Sequence, residues 1–408
     1  MIVIYTTAYN AEHTLRRTAG SVLSQTHGDW VWYLVDNGST DATGAMIQEF
    51  ARRDERIVPR SNRKNFEWEP GNGWWDVLQA YDKNDFFCMI DADDEFKPNF
   101  LEKMLDFATV NKLDVAACGS DHIDAKTGSF LDTRILDHDL LIEGREDFSH
   151  YFTQYHQFTR ACWAKLISLP VMRLRGLPPC LRRRLLYGKD TLLAQELFYG
   201  AKRVGILAES LFNYYASEKS ASHHWDDQRI ESDRILHEAA RDFLIDKCRF
   251  VSPQNEEFLL LVYMNALYDT LKVLVDAEIP EEQKIIGMLD MFSHEYTKEV
   301  AARENIGALL GNAEVFVPRR RMIFALATTR LLSCDILPDD LVDRYCEVGK
   351  LVSAVAENAD AWVFFKKLNA RRLIEKTHAE IGELAELLPK DPDVIDLERQ
   401  LRRPEKIG

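Results

Sequence analysis

The sequence predicts an α/β domain built on crossover-connected strands over residues 1–225, followed by an all-helical domain over residues 226–408. Three observations carry this reading. Short β-branched runs alternate with stretches of helical apolar spacing as far as Val110. The early runs end on polar residues, at Asn10, Asp36 and Asp91. Past Asp226 the β-branched alternation stops, and helical spacing continues between breaks at Ser252-Pro253, Ile279-Pro280, Leu337-Pro338 and Lys390-Asp391-Pro392.

Met1 to Thr7 reads as a strand, and Ala11 to Leu23 follows with helical spacing. Asp29 to Val35 is the second strand, after which Ser39, Thr40 and Asp41 offer caps for a helix through Phe50. Phe86 to Ile90 is short and apolar, as a buried strand is, and it opens into Asp91, Asp93, Asp94 and Glu95. Carboxylates this close repel one another unless water or a cation offsets them. Alternation points Asp91 and Asp93 the same way, where both can reach one hard metal ion. The plain alternative is an acidic turn that caps the next helix. Pro98 ends sheet pairing, and the following NFLEKMLDFATV has helical spacing. Leu113 to Ser120 is a further strand, with a hairpin about Lys126, Thr127 and Gly128. Right-handed crossovers leave strand ends on one rim, so Asn10, Asp36 and Asp91 are expected at one site.

A net charge of −15 over 408 residues argues against nucleic acid as a partner, because that footprint is basic. The basic runs LRRRLL (181–186) and PRRRM (318–322) suit phosphate or a lipid surface, and equally a solvated helix face. Seven scattered cysteines without CxxC spacing suit a reducing compartment, with neither a disulfide framework nor a zinc site. No signal peptide is evident, and the longest apolar stretch, Phe258 to Met264, is too short to span a bilayer. The expectation is a cytoplasmic protein, with peripheral contact at the inner membrane face left open.

The motifs YNAE, SVLSQTHGDW, VDNGSTD and DADD, in this order and spacing, resemble family 2 of the inverting glycosyltransferases. The resemblance is strong over about residues 1–100 and weakens towards 225. It implies a GT-A, Rossmann-like nucleotide-sugar-binding domain that moves a sugar from a nucleoside-diphosphate sugar to a glycan or lipid-linked hydroxyl, as in polysaccharide biosynthesis. Thr7, Tyr9, Asn10, Asp36 and Asn37 would line the nucleoside, with Asp91 and Ala92 beside them. Asp93, with Asp91 and Asp94, would hold Mn2+ or Mg2+ against the diphosphate. Many members have Asp where Asn37 stands, a carboxylate that often reads a uracil N–H, and its loss leaves the nucleobase open: UDP stays favoured, with dTDP and GDP as alternatives. Where relatives carry a basic residue near the pyrophosphate this chain has Trp74, Trp75 and Asp76, with Arg63 or Lys64 as replacements. Trp68, Trp74 and Trp75 suit either a sugar-stacking wall or core packing.

YGKDTLLAQELF (187–198) resembles the family's Glu-Asp motif, with Lys189 in place of Glu. The resemblance implies that Asp190 is the general base, with Glu196 as fallback. A carboxylate at a helix start is also a plain N-cap. The Arg and His usual before the closing serines are replaced by Tyr215 and Ser217, and His223 or His224 follows. His122, His138, His150 and His156 lack metal-ligand spacing and read as surface or core histidines. The helical region suits acceptor selection, homo-oligomerisation or membrane contact alike. The rival from another class is a binding or scaffold protein that keeps the fold without turnover.

Overall fold

The computed structural model describes residues 1–65, 75–173, 187–217, 224–294, 381–386 and 389–401, with Thr297 and Ala379. Trp68, Trp74, His223, both basic runs and most of the expected carboxyl-terminal helices lie outside them, as do the side chains of Trp75 and Asp76. The chain divides into two compact units. The first is Met1–Ser220 with Asp242–Val251, and the second is Ala221–Arg241 with Ser252–Gly408.

The first unit is a ten-stranded mixed sheet with helices, the α/β architecture expected of a GT-A domain. β1 (Ile2–Ala8), β2 (Trp30–Asp36), β3 (Ile57–Ser61) and β4 (Phe86–Met89) are parallel neighbours in the order β3-β2-β1-β4. Their crossovers are α1 (Leu15–Leu23), α2 (Thr43–Arg53) and the short α3 (Trp75–Leu78). The two-residue β5 (Glu95–Phe96) and α4 (Phe100–Val110) follow the acidic turn. The sheet then mixes directions through β6 (Val115–Asp124), β7 (Phe130–Arg134), β8 (Leu140–Glu143), β9 (Lys165–Ser168) and β10 (Arg203–Ala216). β9 runs antiparallel between β4 and β6, β10 lies parallel to β6, and β5 and β8 pair antiparallel with β10.

Local chemistry accounts for these elements. Ile2, Ile4, Trp32, Leu34, Cys88, Leu166 and Phe212 are buried in one continuous apolar core, and Trp32 Nε1 donates to Thr6 Oγ1 at 3.0 Å inside it. The hairpin at 126–128 forms as its residues predict. Asp124 Oδ1 accepts from Lys126 N and Thr127 N, and Gly128 takes φ +70°. The turn after β2 depends on Gly38, whose φ is +79° and whose missing Cβ would lie 2.4 Å from the Lys64 carbonyl carbon. Cys88, Cys118, Cys162 and Cys248 are buried free thiols.

Helices α5 (Gly144–His150), α6 (Phe152–Tyr155), α7 (Leu169–Met172) and α8 (Lys189–Gly200) also belong to the first unit. Between Gly144 and His156 that unit is aromatic-rich, and Phe243 explains why residues 242–251 belong to it. Its ring lies 6.3 Å from Phe148, 6.3 Å from Phe152 and 6.4 Å from Tyr199. α9 (Arg229–Cys248) therefore serves both units, the first from Asp242 onward.

The second unit contains α10 (Pro253–Asp276), α11 (Glu281–Ser293) and a helix at Pro392–Leu401. Ser252 caps α10 by accepting from Asn255 N at 3.2 Å, with Pro253 in the first turn, as the Ser-Pro break implies. The uninterrupted apolar run understates α10. By length and composition it is one helix long and apolar enough to cross a membrane, and half of its most apolar window is buried in the protein. Leu259, Leu260, Met264, Leu267 and Leu271 are all buried, as in a core helix.

Gly38→Ala should destabilise the first unit by roughly 2 kcal/mol or more, because a left-handed conformation and a backbone clash coincide. A shifted urea midpoint measures this, and an unchanged midpoint would mean the turn relaxes freely.

Candidate functional site

The loops after β1 and β2 are fastened to each other before they meet the acidic turn. Asn10 takes φ 48°, donates its backbone N–H to Ser39 Oγ at 3.0 Å, and accepts from Thr40 N at 2.9 Å. Ala11 N donates to Thr43 Oγ1 at 2.7 Å, and Ala42 N donates to Glu12 Oε2 at 3.0 Å. Asp36 Oδ1 accepts from Ser39 N at 2.9 Å, and a Cβ on Gly44 would lie 2.7 Å from its other oxygen. Thr7 and Asp36 are half-buried at adjacent strand ends and Tyr9 is 47% exposed beyond them, so this part of the expected rim converges.

Asn37 departs from the expectation of a residue free to face a nucleobase. It is buried, its Nδ2 donates to Asn65 Oδ1 at 2.7 Å, and its Oδ1 accepts from Asn62 Nδ2 at 2.7 Å. The amide ties the β2 turn to the segment after β3. Arg63 and Lys64 are exposed in that segment.

The acidic turn hangs from one face of α1. Thr14 Oγ1 donates to Ala92 O at 2.9 Å, Arg17 Nη2 to Asp93 O, and Thr18 Oγ1 to Asp94 O at 2.8 Å. Positions 14, 17 and 18 share a helix face, so three successive carbonyls meet three successive donors. Arg17 also stacks on Tyr215, its guanidinium carbon 3.5 Å from the ring centroid, and Tyr215 Oη donates to Glu95. The position expected to lack the family's basic residue thus has a cation over it, supplied by α1. The polar i, i+3, i+4 spacing of Thr14, Arg17 and Thr18 was the signal available for this.

The four aspartates differ in environment. Asp91 and Asp93 keep surface open to solvent at the strand end, as alternation predicts, while dense protein around them still takes much of their hydration. Asp94 is only 1% exposed, which corrects the expectation that it shares an open cation site with them. Its Oδ1 accepts from Tyr215 N at 2.9 Å, and its Oδ2 is buried with no hydrogen-bond partner among the described residues. Asp190 stands in the first turn of α8 (Lys189–Gly200), exposed, with Oδ1 accepting from Thr191 N at 2.8 Å. Gly188, at φ 79°, holds the cap position and no side chain caps the helix, so Asp190 is not the N-cap.

Surrounding protein raises all four carboxyl groups. Burial and then the charges of Asp93 and Asp190 push Asp91 up to about 7. Burial raises Asp93 against the pull of Arg17. Burial, Asp91 and Asp93 together hold Asp94 well above the usual range. Burial raises Asp190, offset by the Thr191 N–H, Arg160 and Lys165. The charge of Asp190 is felt at Asp91, so the fold brings the start of α8 to the end of β4. Glu196 is half-buried further along α8, where burial lifts its carboxyl to about 8. Lys165, which the sequence did not single out, is 3% exposed beside this group. Its Nζ donates to Ala161 O at 2.6 Å and Trp163 O at 3.2 Å, and burial lowers it to about 8.

Among the described residues no group of three or more His, Cys, Asp and Glu is disposed to hold a metal ion. The oxygen-only pair Asp91 and Asp93 nevertheless fits a hard divalent ion bound jointly with a phosphate. Mg2+ in particular uses one or two carboxylates and completes its shell from phosphate and water. His122 is instead 2.8 Å from Asp132, His156 is buried on Phe152, His150 lies against Tyr151, and His138 is exposed.

A known protein family matches over this same stretch. The family described as Glycosyl transferase family 2 matches residues 3–165, from β1 to the first residue of β9. Residues 3–165 are a glycosyl transferase family 2 domain. An uncharacterized glycosyltransferase of Haemophilus influenzae is 30% identical over 132 residues, 32% of this chain and 37% of that protein. The UDP-Glc:alpha-D-GlcNAc-diphosphoundecaprenol beta-1,3-glucosyltransferase WfgD of Escherichia coli is 31% identical over 114 residues, 28% of this chain and 43% of that protein. The chain spans about two fifths of the length of the first curated relatives it matches. The crystal structure of S. aureus TarS 1-349 in complex with UDP-GlcNAc is 14% identical, with 91% of each chain covered and a TM-score of 0.44. The family match contains Thr7 through Asp94 and ends before Asp190.

An ordinary aspartate titrates at about 3.9, whereas lost hydration and the charges of Asp93 and Asp190 push Asp91 up to about 7. Between those values the folded chain holds the extra proton, so stability from this group falls as pH rises from 4 to 7 and levels above that. In chelator, the urea midpoint should therefore rise as pH is lowered from 7.5 to 5, and Asp91→Asn should flatten the slope. An equal slope in the variant would assign the titration to other groups.

Proposed function

We propose that the chain is a metal-dependent inverting glycosyltransferase that uses a UDP-sugar donor and a glycan or lipid-linked hydroxyl acceptor. The observation that carries it is that α8 brings Asp190 within reach of Asp91 at the end of β4, with Cys162, whose Sγ donates to Asp190 O at 3.1 Å, feeling both carboxylates. The family match supports the reaction class, and the UDP-Glc donor in the name of its relative WfgD supports UDP as the carrier.

On this reading Tyr9, exposed at the end of β1, offers its ring to the base, while Asp36 accepts from the ribose or base. Thr7 lines the same edge. Asn10 and Asn37 through their side-chain amides, and Ala92 through its carbonyl, set the loops that Thr7, Asp36 and Asp93 stand on. Asp91 and Asp93 are the residues that would hold Mn2+ or Mg2+, which when bound offsets the charge of the departing diphosphate. Arg17 adds a fixed cation beside Asp93. Asp190 takes the proton of the attacking hydroxyl, and its raised pKa makes it a stronger base than a free aspartate. Attack from the side opposite the diphosphate inverts the anomeric carbon.

A panel of UDP-, dTDP- and GDP-sugars with Mn2+ should give slow donor hydrolysis with a UDP-sugar. Complete inertness across the panel would favour a binding protein. Asp190→Asn should retain UDP affinity and lose transfer by about 10²–10⁴-fold, and near wild-type turnover would sink the assignment. Asp93→Ala should abolish the difference in UDP affinity with and without Mn2+ in calorimetry. A persisting difference would move the metal elsewhere.

A further inference from the structure

Arg160 stands beside the candidate base and Arg134 beside Arg160, and among the described residues neither guanidinium has a carboxylate within salt-bridge distance. Arg160 is exposed, and its carbonyl accepts from Thr191 Oγ1 at 2.8 Å, which fastens it to the residue after Asp190. Arg134, at the end of β7, lies over the Trp163 ring, 6.0 Å from its centroid, and donates to Gln157 O at 3.4 Å. The two guanidiniums are close enough that Arg160 lowers the pKa of Arg134, after burial. Asp132, whose field also reaches Arg134, is 2.8 Å from His122 Nδ1.

Other guanidiniums on this acidic chain sit against carboxylates, as Arg56 does on Asp54 at 2.7 Å and Arg203 on Glu143 at 2.6 Å, or singly over a ring, as Arg60 does on Tyr33. Crowding two cations without such a partner costs free energy that a bound anion would recover. The wall beneath them is aromatic. Trp163 stacks on Phe212 at 4.8 Å and on Tyr214 at 5.3 Å, nearly parallel to both. Trp163 and Tyr214 keep part of their surface open to solvent. A planar ring next to paired guanidiniums suits a sugar face next to a phosphate.

We propose that Arg134, Arg160 and the Trp163–Tyr214 wall form a subsite for a phosphate ester carried by the acceptor. This rests on the reading that the acceptor hydroxyl meets Asp190. Because Arg160 is tied to the residue next to Asp190, it would fix the acceptor's phosphate close to the hydroxyl that reacts. It would also offset the repulsion that an anionic acceptor meets from Asp91, Asp93 and Asp190.

Calorimetry with Mn2+ and saturating UDP tests this, with glucose 1-phosphate, its methyl phosphodiester and methyl glucoside as probes. At least one phosphate-bearing probe should bind about tenfold more tightly than the glucoside. A preference for the monoester points to a terminal phosphate, and one for the diester to a phosphate within a chain. Arg160→Gln and Arg134→Gln should each remove that preference while UDP affinity, which also reports folding, stays within twofold. Equal binding of all three probes would overturn the proposal, as would parallel loss of UDP affinity, which would give the arginines to the donor. Failure of the wild type to bind UDP would instead sink the donor reading.

Discussion

The structure depends on three hydrogen bonds from α1 to the carbonyls of Ala92, Asp93 and Asp94. A turn carrying this many carboxylates would open to separate its charges if only sheet pairing held it, and β5 contributes just two residues to that pairing. Donors from one helix face fix the backbone through carbonyls and leave the side chains of Asp91 and Asp93 outside any salt bridge, with Arg17 beside Asp93 as the nearest cation. Arg17 does double duty, donating to the turn and lying over Tyr215, whose own N–H holds Asp94. The acidic turn, α1 and β10 thus form one unit of stabilisation, and a change in any of the three reaches the others.

The same economy applies at the first two strand ends. Asn10, Ser39, Thr43 and Glu12 each use a side-chain oxygen to accept from a backbone N–H of the facing loop, which leaves Thr7, Tyr9 and Asp36 at a rim that is already ordered. Preorganisation of this kind lowers the entropy lost when a ligand binds.

The parts of this arrangement legible in the sequence are those set by local chemistry. β1, β2 and β4 are apolar runs with polar ends, the 126–128 hairpin has its turn residues, and Ser252-Pro253 announces α10. The parts that were not legible depend on distant partners. β5, β8 and β9 are two to four residues long and exist through pairing with β10, β4 and β6, which no local period reports. Phe243 belongs to the first unit because of rings at 148, 152 and 199. Asp94 resembles its acidic neighbours in sequence and parts from them only because Tyr215 N lies beneath it. Asn37, similarly, looks like a ligand-facing residue until Asn62 and Asn65 claim its amide.

The buried thiols carry a practical corollary. Cys162 donates to Asp190 O at 3.1 Å, and burial pushes the thiols of Cys88, Cys118 and Cys162 above their usual range. Thiols held protonated and covered react slowly with alkylating reagents while the fold is closed. Peptide-resolved labelling would therefore turn these cysteines into clocks, with the one at 162 timing how often the floor under the α8 aspartate breathes.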